Sequence, residues 1–162
     1  MNKIAVISDT TCDIPDYIVE KYGIRLLPMQ VVYSYRAFKD RVDIDTDYVY
    51  ENLESEIPRS SLPLIADITD VLEKLKNDGF THIIAITLSS KLSGTFNAVR
   101  TALDGYRGIF CVEIIDSKLI SMAMGFSVIE AARTVIETGD FDKAVERARY
   151  VLERSRGYFT VD

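Results

Sequence analysis

Three short stretches of the chain concentrate hydroxyl side chains that can bind an anion or supply a nucleophile. Thr10 and Thr11 follow one apolar run, Ser60 and Ser61 lie in a polar stretch, and segment 89–95 carries three serines and a threonine. Each stretch comes before a predicted helix, where serine and threonine commonly act as caps. Hydroxyls combined with the free N–H groups of helix N-termini also form anion sites without Arg or Lys. The pattern therefore predicts either simple caps or a site that holds a carboxylate.

Nucleophilic catalysis is the alternative, with Ser93 or Asp9 as the reacting group of a small α/β hydrolase or phosphotransferase. The only histidine, His82, is predicted at the start of a strand, away from the loop that contains Ser93. A serine without a base is a weak nucleophile, so no Ser-His-Asp triad is predicted. Cys12 and Cys111 also lack a nearby histidine in the sequence. We assign no catalytic residue, and the alternative stays open.

Cofactor patterns are absent from the sequence. Neither Gly-x-Gly-x-x-Gly nor the P-loop pattern occurs, and the cysteines and the histidine do not have zinc-ligand spacing. Asp9-Thr10-Thr11 differs from a phosphoaspartyl motif, because position 11 is threonine rather than a second aspartate. We therefore expect no cofactor and no metal.

The composition fits one globular domain. The 162 residues are 48% hydrophobic and 27% charged, and the net charge is −6 without a Lys/Arg cluster. This charge disfavours binding to nucleic acid or to an anionic membrane surface. The sequence contains neither a signal peptide nor an apolar run long enough to span a bilayer. We expect a cytoplasmic protein without integral membrane association.

Alternating strands and helices must position the hydroxyl stretches. Apolar, β-branched runs predict strands over 3–8, 25–33, the run that ends before Ser89, and 109–115. Helices are predicted over about 16–22, 46–54, 64–78, 94–103, 121–138 and 142–153. This alternation predicts an α/β fold, a three-layer α/β/α arrangement with a mainly parallel sheet. Ligands of such sheets bind outside the carboxyl ends of the strands, where Thr10, Thr11 and the 89–95 loop are expected.

Several of these stretches resemble conserved blocks of the DegV family. Residues 8–15 (Ser-Asp-Thr-Thr-Cys-Asp-Ile-Pro) resemble its N-terminal signature, and residues 89–96 are close to its Ser-Gly-Thr motif. Residues 115–118 and 121–122 resemble a third block. The segment 60–63 is similar to the family's Thr-Ser-Gln-Pro motif, with serine in place of threonine and leucine in place of glutamine. The motifs follow the family's order along the whole chain.

The resemblance implies a function and a set of contacts. DegV proteins are bacterial fatty-acid-binding proteins, and the acyl chain lies in a tunnel between two α/β domains. The resemblance implies that Ser93 contacts the carboxylate, together with Gly94 and with Ser60 or Ser61. We cannot choose between Ser60 and Ser61 from the sequence. Additional polar contacts are expected from a further set of hydroxyl residues: Thr95, Thr10 and Thr11.

The resemblance also implies a partner. Some family members present the bound fatty acid to the catalytic subunit of a fatty acid kinase, so this chain is expected to be a non-catalytic carrier. Burial of each CH₂ group of the acyl chain contributes about 0.8 kcal/mol. The residues expected to line the acyl chain are apolar: Phe96, Met122, Met124 and Phe126.

The end of the chain resembles an interrupted strand. We expect residues 1–157 to form a DegV-like N-terminal α/β domain. Residues 158–162 are expected to begin a strand that leads to a second domain, which is absent from this chain.

Overall fold

The computed structural model describes residues 2–158 and residue 160. The strands are β1 (Ile4–Asp9), β2 (Arg25–Leu27), β3 (Gln30–Val32), β4 (Ala37–Lys39), β5 (Arg59–Ser61), β6 (His82–Thr87) and β7 (Cys111–Asp116). The central element is a four-stranded parallel sheet with the strand order β2-β1-β6-β7. Beside it lies a small antiparallel sheet with the order β4-β3-β5.

Helices cover both faces of the parallel sheet. The α-helices are α1 (Asp16–Tyr22), α2 (Thr46–Asn52), α3 (Ile65–Asn77), α4 (Thr95–Asp104), α5 (Met122–Thr138) and α6 (Phe141–Arg154). Helix α5 packs on β1 and β6, with α1 and α6 beside it, whereas α3 and α4 pack on the opposite face. The predicted α/β class and its three-layer arrangement around a mainly parallel sheet are confirmed.

The core consists of two apolar layers separated by the sheet. Side chains of β1 and β6 alternate between the layers, as a sheet covered on both faces requires. Ile84 and Ile86 face α5, and Ile83 and Ala85 face α3 and α4. All four are fully buried. This alternation explains why the sequence of β6 is almost continuously apolar.

Two parts of the sequence fold differently from the prediction. The strand predicted over 25–33 is divided at Pro28 into β2, in the parallel sheet, and β3, in the antiparallel sheet. Proline has no N–H for a strand ladder, so the chain changes sheets at this position. Ser60 and Ser61 lie in β5 rather than in a loop, because β3 supplies an antiparallel partner.

The strand predicted to begin at the chain's end is not seen in the residues that can be described. Gly157, Tyr158 and Thr160 have no regular secondary structure, and the other residues of that prediction lie outside the described residues. In the described part of the chain, no helix combines the length and the apolar character needed to cross a bilayer.

Helix α5 approaches the end of β1 very closely. A Cβ atom added to Gly125 would lie 2.5 Å from the backbone oxygen of Cys12 and 3.2 Å from Cγ1 of Ile14. Glycine is therefore required for the contact between α5 and the turn after β1. This contact fixes the N-terminal part of α5 beside the carboxyl end of the sheet.

Candidate functional site

A cavity of about 1180 Å³ opens at the carboxyl ends of β1 and β6. Its walls come from the turn after β1, the loop after β6, the antiparallel sheet, the start of α5 and the segment after α6. These elements are distant in sequence and meet because parallel strands end at one edge of the sheet. The lining includes residues of all three hydroxyl stretches: Thr10, Thr11, Ser60, Ser61 and Ser93.

Asp9 connects the two loops that follow β1 and β6. One carboxylate oxygen, Oδ1, accepts hydrogen bonds from the backbone N–H of Thr11 at 3.2 Å and from its hydroxyl at 2.5 Å. The other oxygen, Oδ2, accepts from the backbone N–H of Leu88 at 2.9 Å. Asp9 is completely buried. Both oxygens therefore act in positioning the loops.

Burial also changes the acidity of Asp9. Loss of contact with water raises the pKa of this carboxyl group above its ordinary value of 3.8. The hydrogen bonds from Thr11 and Leu88 lower the pKa, but the effect of burial is larger. The ionised form is thus destabilised in the folded protein although it has several donors.

The two threonines after β1 use their hydroxyls differently. Thr11 donates its hydroxyl proton to Asp9, whereas the Thr10 oxygen accepts from the backbone N–H of Met29 at 3.2 Å. The Thr10 proton thus remains available for a second hydrogen bond. Both residues line the cavity, and Thr10 is the better donor toward a ligand.

Ser93 lies on the cavity lining just before α4, where its hydroxyl makes local contacts. The Ser93 oxygen accepts from the backbone N–H of Thr95 at 3.2 Å and lies 2.9 Å from the Thr95 hydroxyl oxygen. Thr95 is fully buried, and its hydroxyl oxygen lies 3.7 Å from the sulfur of Met29. The Thr95 hydroxyl has one proton, so it donates either to Met29 or to Ser93, and the Ser93 proton is free to point into the cavity when Thr95 donates to Ser93. Thr95 itself is not part of the lining.

Gly94 is exposed and does not line the cavity. Its φ is −73°, which every residue type adopts, and an added Cβ would have Leu62 Cδ2 as its nearest neighbour at 3.9 Å. Neither backbone conformation nor packing therefore requires glycine here. The predicted contact of Gly94 with a carboxylate stays a prediction.

Ser60 and Ser61 both line the cavity from β5 and are both exposed. Their side chains point to opposite faces of the small sheet, because strand residues alternate. Ser60 pairs with Val31, and Ser61 pairs with Gln30. Val31 packs in a cluster with Phe38, so Ser60 belongs to the aromatic face and Ser61 to the other.

The four residues predicted to line an acyl chain divide into two pairs. Met122 and Phe126 line the cavity, and Phe126 is more than half exposed at 54%. Met124 is fully buried in the core between α5 and the sheet, so the structure does not place it on the lining. Phe96 is half-buried on α4, beneath the guanidinium of Arg100, and is also outside the lining.

Several lining residues were missed in the sequence. Ser121 has φ 58° and ψ −157°, a conformation rare outside glycine; its backbone N–H donates to Thr11 and its hydroxyl donates to Asp13. Arg154 and Arg156 place two cations on the lining, opposite in sign to Asp13 and Asp40. In the sequence, the two arginines are recognisable only as basic residues near the end of a predicted helix.

The residues of the catalytic alternative are not assembled around Ser93. His82 starts β6 and contacts Thr81 and Phe141, at the amino end of the sheet, whereas Ser93 follows its carboxyl end. Cys12 is buried, and burial raises the pKa of its thiol to about 11. Among the described residues, no group of three or more His, Cys, Asp or Glu side chains is placed to hold a metal ion.

Comparison with protein families identifies one match over nearly the whole chain. The model described as "Uncharacterised protein, DegV family" matches residues 3–162. A DegV domain-containing protein of Clostridium acetobutylicum is 38% identical over 162 residues, which are 100% of this chain and 58% of that protein. A DegV domain-containing protein of Clostridium perfringens is 39% identical, with coverage of 100% and 57%. The chain thus spans little more than half the length of these relatives.

Solved structures show the same fold. A crystal structure of DegV, described as a fatty acid binding protein from Bacillus subtilis, superposes with a TM-score of 0.84 at 25% identity, over 94% of this chain and 55% of that one. A stearic acid-binding protein from Eubacterium ventriosum gives a TM-score of 0.79 at 25% identity, over 92% and 52%.

The burial of Asp9 predicts a pH dependence that the Asp9→Asn variant lacks. Because burial raises the Asp9 pKa above 3.8, the folded protein binds this proton more tightly than the unfolded chain. Its contribution to stability is complete below that value and is lost as the pH rises through the raised pKa. The unfolding free energy of the wild type minus that of the variant should therefore fall with rising pH.

Urea unfolding of both proteins from about pH 3.5 to about pH 7 measures this difference. The other carboxylates are present in both proteins, so their contributions to the unfolding free energy cancel in the subtraction. If this difference is constant or rises with pH, burial does not raise the pKa of Asp9.

Proposed function

The chain belongs to the DegV family, and we propose that it binds a long-chain fatty acid through the carboxylate. The observation that carries this proposal is the composition of the cavity at the carboxyl ends of β1 and β6. Hydroxyls of Thr10 and Ser93 share its lining with the apolar side chains of Met122 and Phe126. A fatty acid needs both a set of donors for its carboxylate and an apolar wall for its acyl chain.

Burial of the acyl chain supplies most of the proposed affinity. A C16 chain gains roughly 12 kcal/mol gross if all its CH₂ groups leave water, at about 0.8 kcal/mol each. Association costs an estimated 4–15 kcal/mol in lost freedom, so the net affinity is much smaller. The cavity volume of about 1180 Å³ exceeds the roughly 300–1,000 Å³ usual for small-molecule sites. Space is therefore sufficient for a long chain.

The polar side chains orient the ligand. A carboxylate that leaves water requires donors, because an unpaired buried charge is costly. The proposed donors are the hydroxyls of Ser93, of Thr10 and of Ser60 or Ser61, with N–H groups near Gly94. Arg154 and Arg156 are matched on the lining by Asp13 and Asp40, so the preference for a carboxylate rests on the hydroxyl and N–H donors.

We further propose that the chain is a carrier that presents the bound fatty acid to a fatty acid kinase catalytic subunit in the cytoplasm. Family resemblance supports this step, and the engagement of both Asp9 oxygens within the fold is consistent with a non-catalytic role. An acyl phosphate assay tests it. Product should form from ATP only when this chain and the catalytic subunit are both present, and product formed by the catalytic subunit alone would contradict it.

Replacement of Ser93 by alanine should weaken fatty acid binding by about 1–3 kcal/mol, since a buried charge loses one donor. Titration calorimetry with a C16 fatty acid measures the change. Ser90→Ala is the matched control, because the Ser90 hydroxyl donates to Asp116 and does not line the cavity. Ser93→Thr keeps a hydroxyl and should recover part of the affinity.

An unchanged dissociation constant in Ser93→Ala would remove Ser93 from the site. Unfolding of each variant is measured separately, because Ser93 also accepts the N–H of Thr95. Steady ester hydrolysis that disappears in Ser93→Ala would instead favour the hydrolase alternative.

A further inference from the structure

Gln30 carries a buried amide nitrogen without a hydrogen-bond partner. The residue is 7% exposed, and Nε2 makes no hydrogen bond to any group in the described part of the chain. An unpaired buried donor is destabilising, and folded proteins rarely retain one. Among the described residues, buried polar side-chain atoms without a hydrogen-bond partner also occur on five others: Ser8, Tyr33, Asp67, Thr87 and Ser127. None of those residues lines the cavity, whereas Gln30 does.

The position of Gln30 places it among the proposed head-group donors. Gln30 pairs with Ser61 across the small sheet, so the two side chains share one face. The preceding residue, Met29, donates its N–H to Thr10, and its sulfur lies 3.7 Å from the hydroxyl oxygen of Thr95. The amide is thus next to the hydroxyl end of the cavity. The apolar residues of α5, Met122 and Phe126, form a different part of the lining.

We propose that the Gln30 amide donates a hydrogen bond to a carboxylate oxygen of the bound lipid. This inference rests on the proposed fatty acid binding and adds a donor to that site. It also favours Ser61 over Ser60 as the hydroxyl from β5, because only Ser61 shares a face with Gln30. A neutral amide and hydroxyls can hold the carboxylate without a buried cation.

A small rearrangement presents the donor. The oxygen and nitrogen of an amide have nearly the same shape, so a half-turn of the group exchanges their positions. Nε2 has no partner within the described residues, so this turn breaks no hydrogen bond of the nitrogen. After the turn the nitrogen faces the ligand and the oxygen takes the buried position that the nitrogen leaves, so the gain in the complex is the hydrogen bond between Nε2 and the charged carboxylate. Gln30 should therefore destabilise the empty protein and stabilise the complex.

The Gln30→Met variant tests these opposite effects. Methionine has a similar length and no N–H group, so the empty variant should unfold at a higher temperature than the wild type. Its affinity for a C16 fatty acid should be about tenfold lower, the usual effect of one lost hydrogen bond to a charged group. Differential scanning calorimetry and titration calorimetry on the full chain measure the two quantities.

A control and a second variant make the result unambiguous. Asn97→Leu removes an exposed amide on α4, outside the cavity, and should not change the affinity. Gln30→Glu keeps the shape but adds a negative charge, so it should weaken binding more than methionine does.

Five outcomes separate the possibilities. Higher stability with lower affinity in Gln30→Met supports the inference. Unchanged affinity, or lower stability together with lower affinity, overturns it, because the latter indicates a purely structural role. A Gln30→Glu variant that binds as tightly as the wild type also overturns it. Failure of the wild type to bind the fatty acid refutes the proposed function itself.

Discussion

The hydrogen bonds of Asp9 hold the candidate site together. Its two oxygens join the turn after β1 to the loop after β6, and neighbouring parallel strands bring these segments into reach. The contact of Ser121 with Thr11 then attaches the start of α5 to the same turn. Loops that follow different strands are thereby joined by hydrogen bonds into one edge. Because a buried carboxylate is costly, the sheet and α5 must supply the stability that this arrangement uses.

The site combines two physical effects of different size. Burial of an acyl chain provides a large and non-directional gain, while each hydroxyl or amide contributes about 1–3 kcal/mol. In the proposed complex, the apolar wall therefore determines how tightly the fatty acid binds, and the polar residues determine which end of it enters. Ser93 and Gln30 differ in their empty state, because the Ser93 hydroxyl has a local partner in Thr95 and the Gln30 nitrogen has none within the described residues. A ligand therefore gains more from satisfying Gln30.

Sequence patterns predicted the parallel sheet well, since β1 and β6 are apolar and β-branched and are bounded by polar turns. They also predicted that Thr10, Thr11 and Ser93 would lie at one edge of that sheet. The strand β5 was missed because its residues, Arg59–Ser61, are all polar and exposed and form a strand only through pairing with β3.

Other differences arise from tertiary contacts that periodicity does not contain. Met124 and Phe126 both lie in the apolar part of α5, and only the packing of α5 on the sheet separates a core residue from a lining residue. Gln30 was missed for a similar reason. A lone glutamine in a short strand does not indicate a binding residue in the sequence. Only the pairing with Ser61 shows that the two side chains share one face of the small sheet. Arg154 and Arg156 were missed because they lie between the helix predicted to end at about residue 153 and the strand predicted from residue 158, where the sequence carries no sign of a site.

The central claim is that the cavity at the carboxyl ends of β1 and β6 holds a fatty acid. Native mass spectrometry of the gently purified chain tests it most directly. The account predicts a mass increase equal to one long-chain fatty acid, released as the free acid on denaturation. A chain that carries no lipid and that also fails to take up added fatty acid would contradict it.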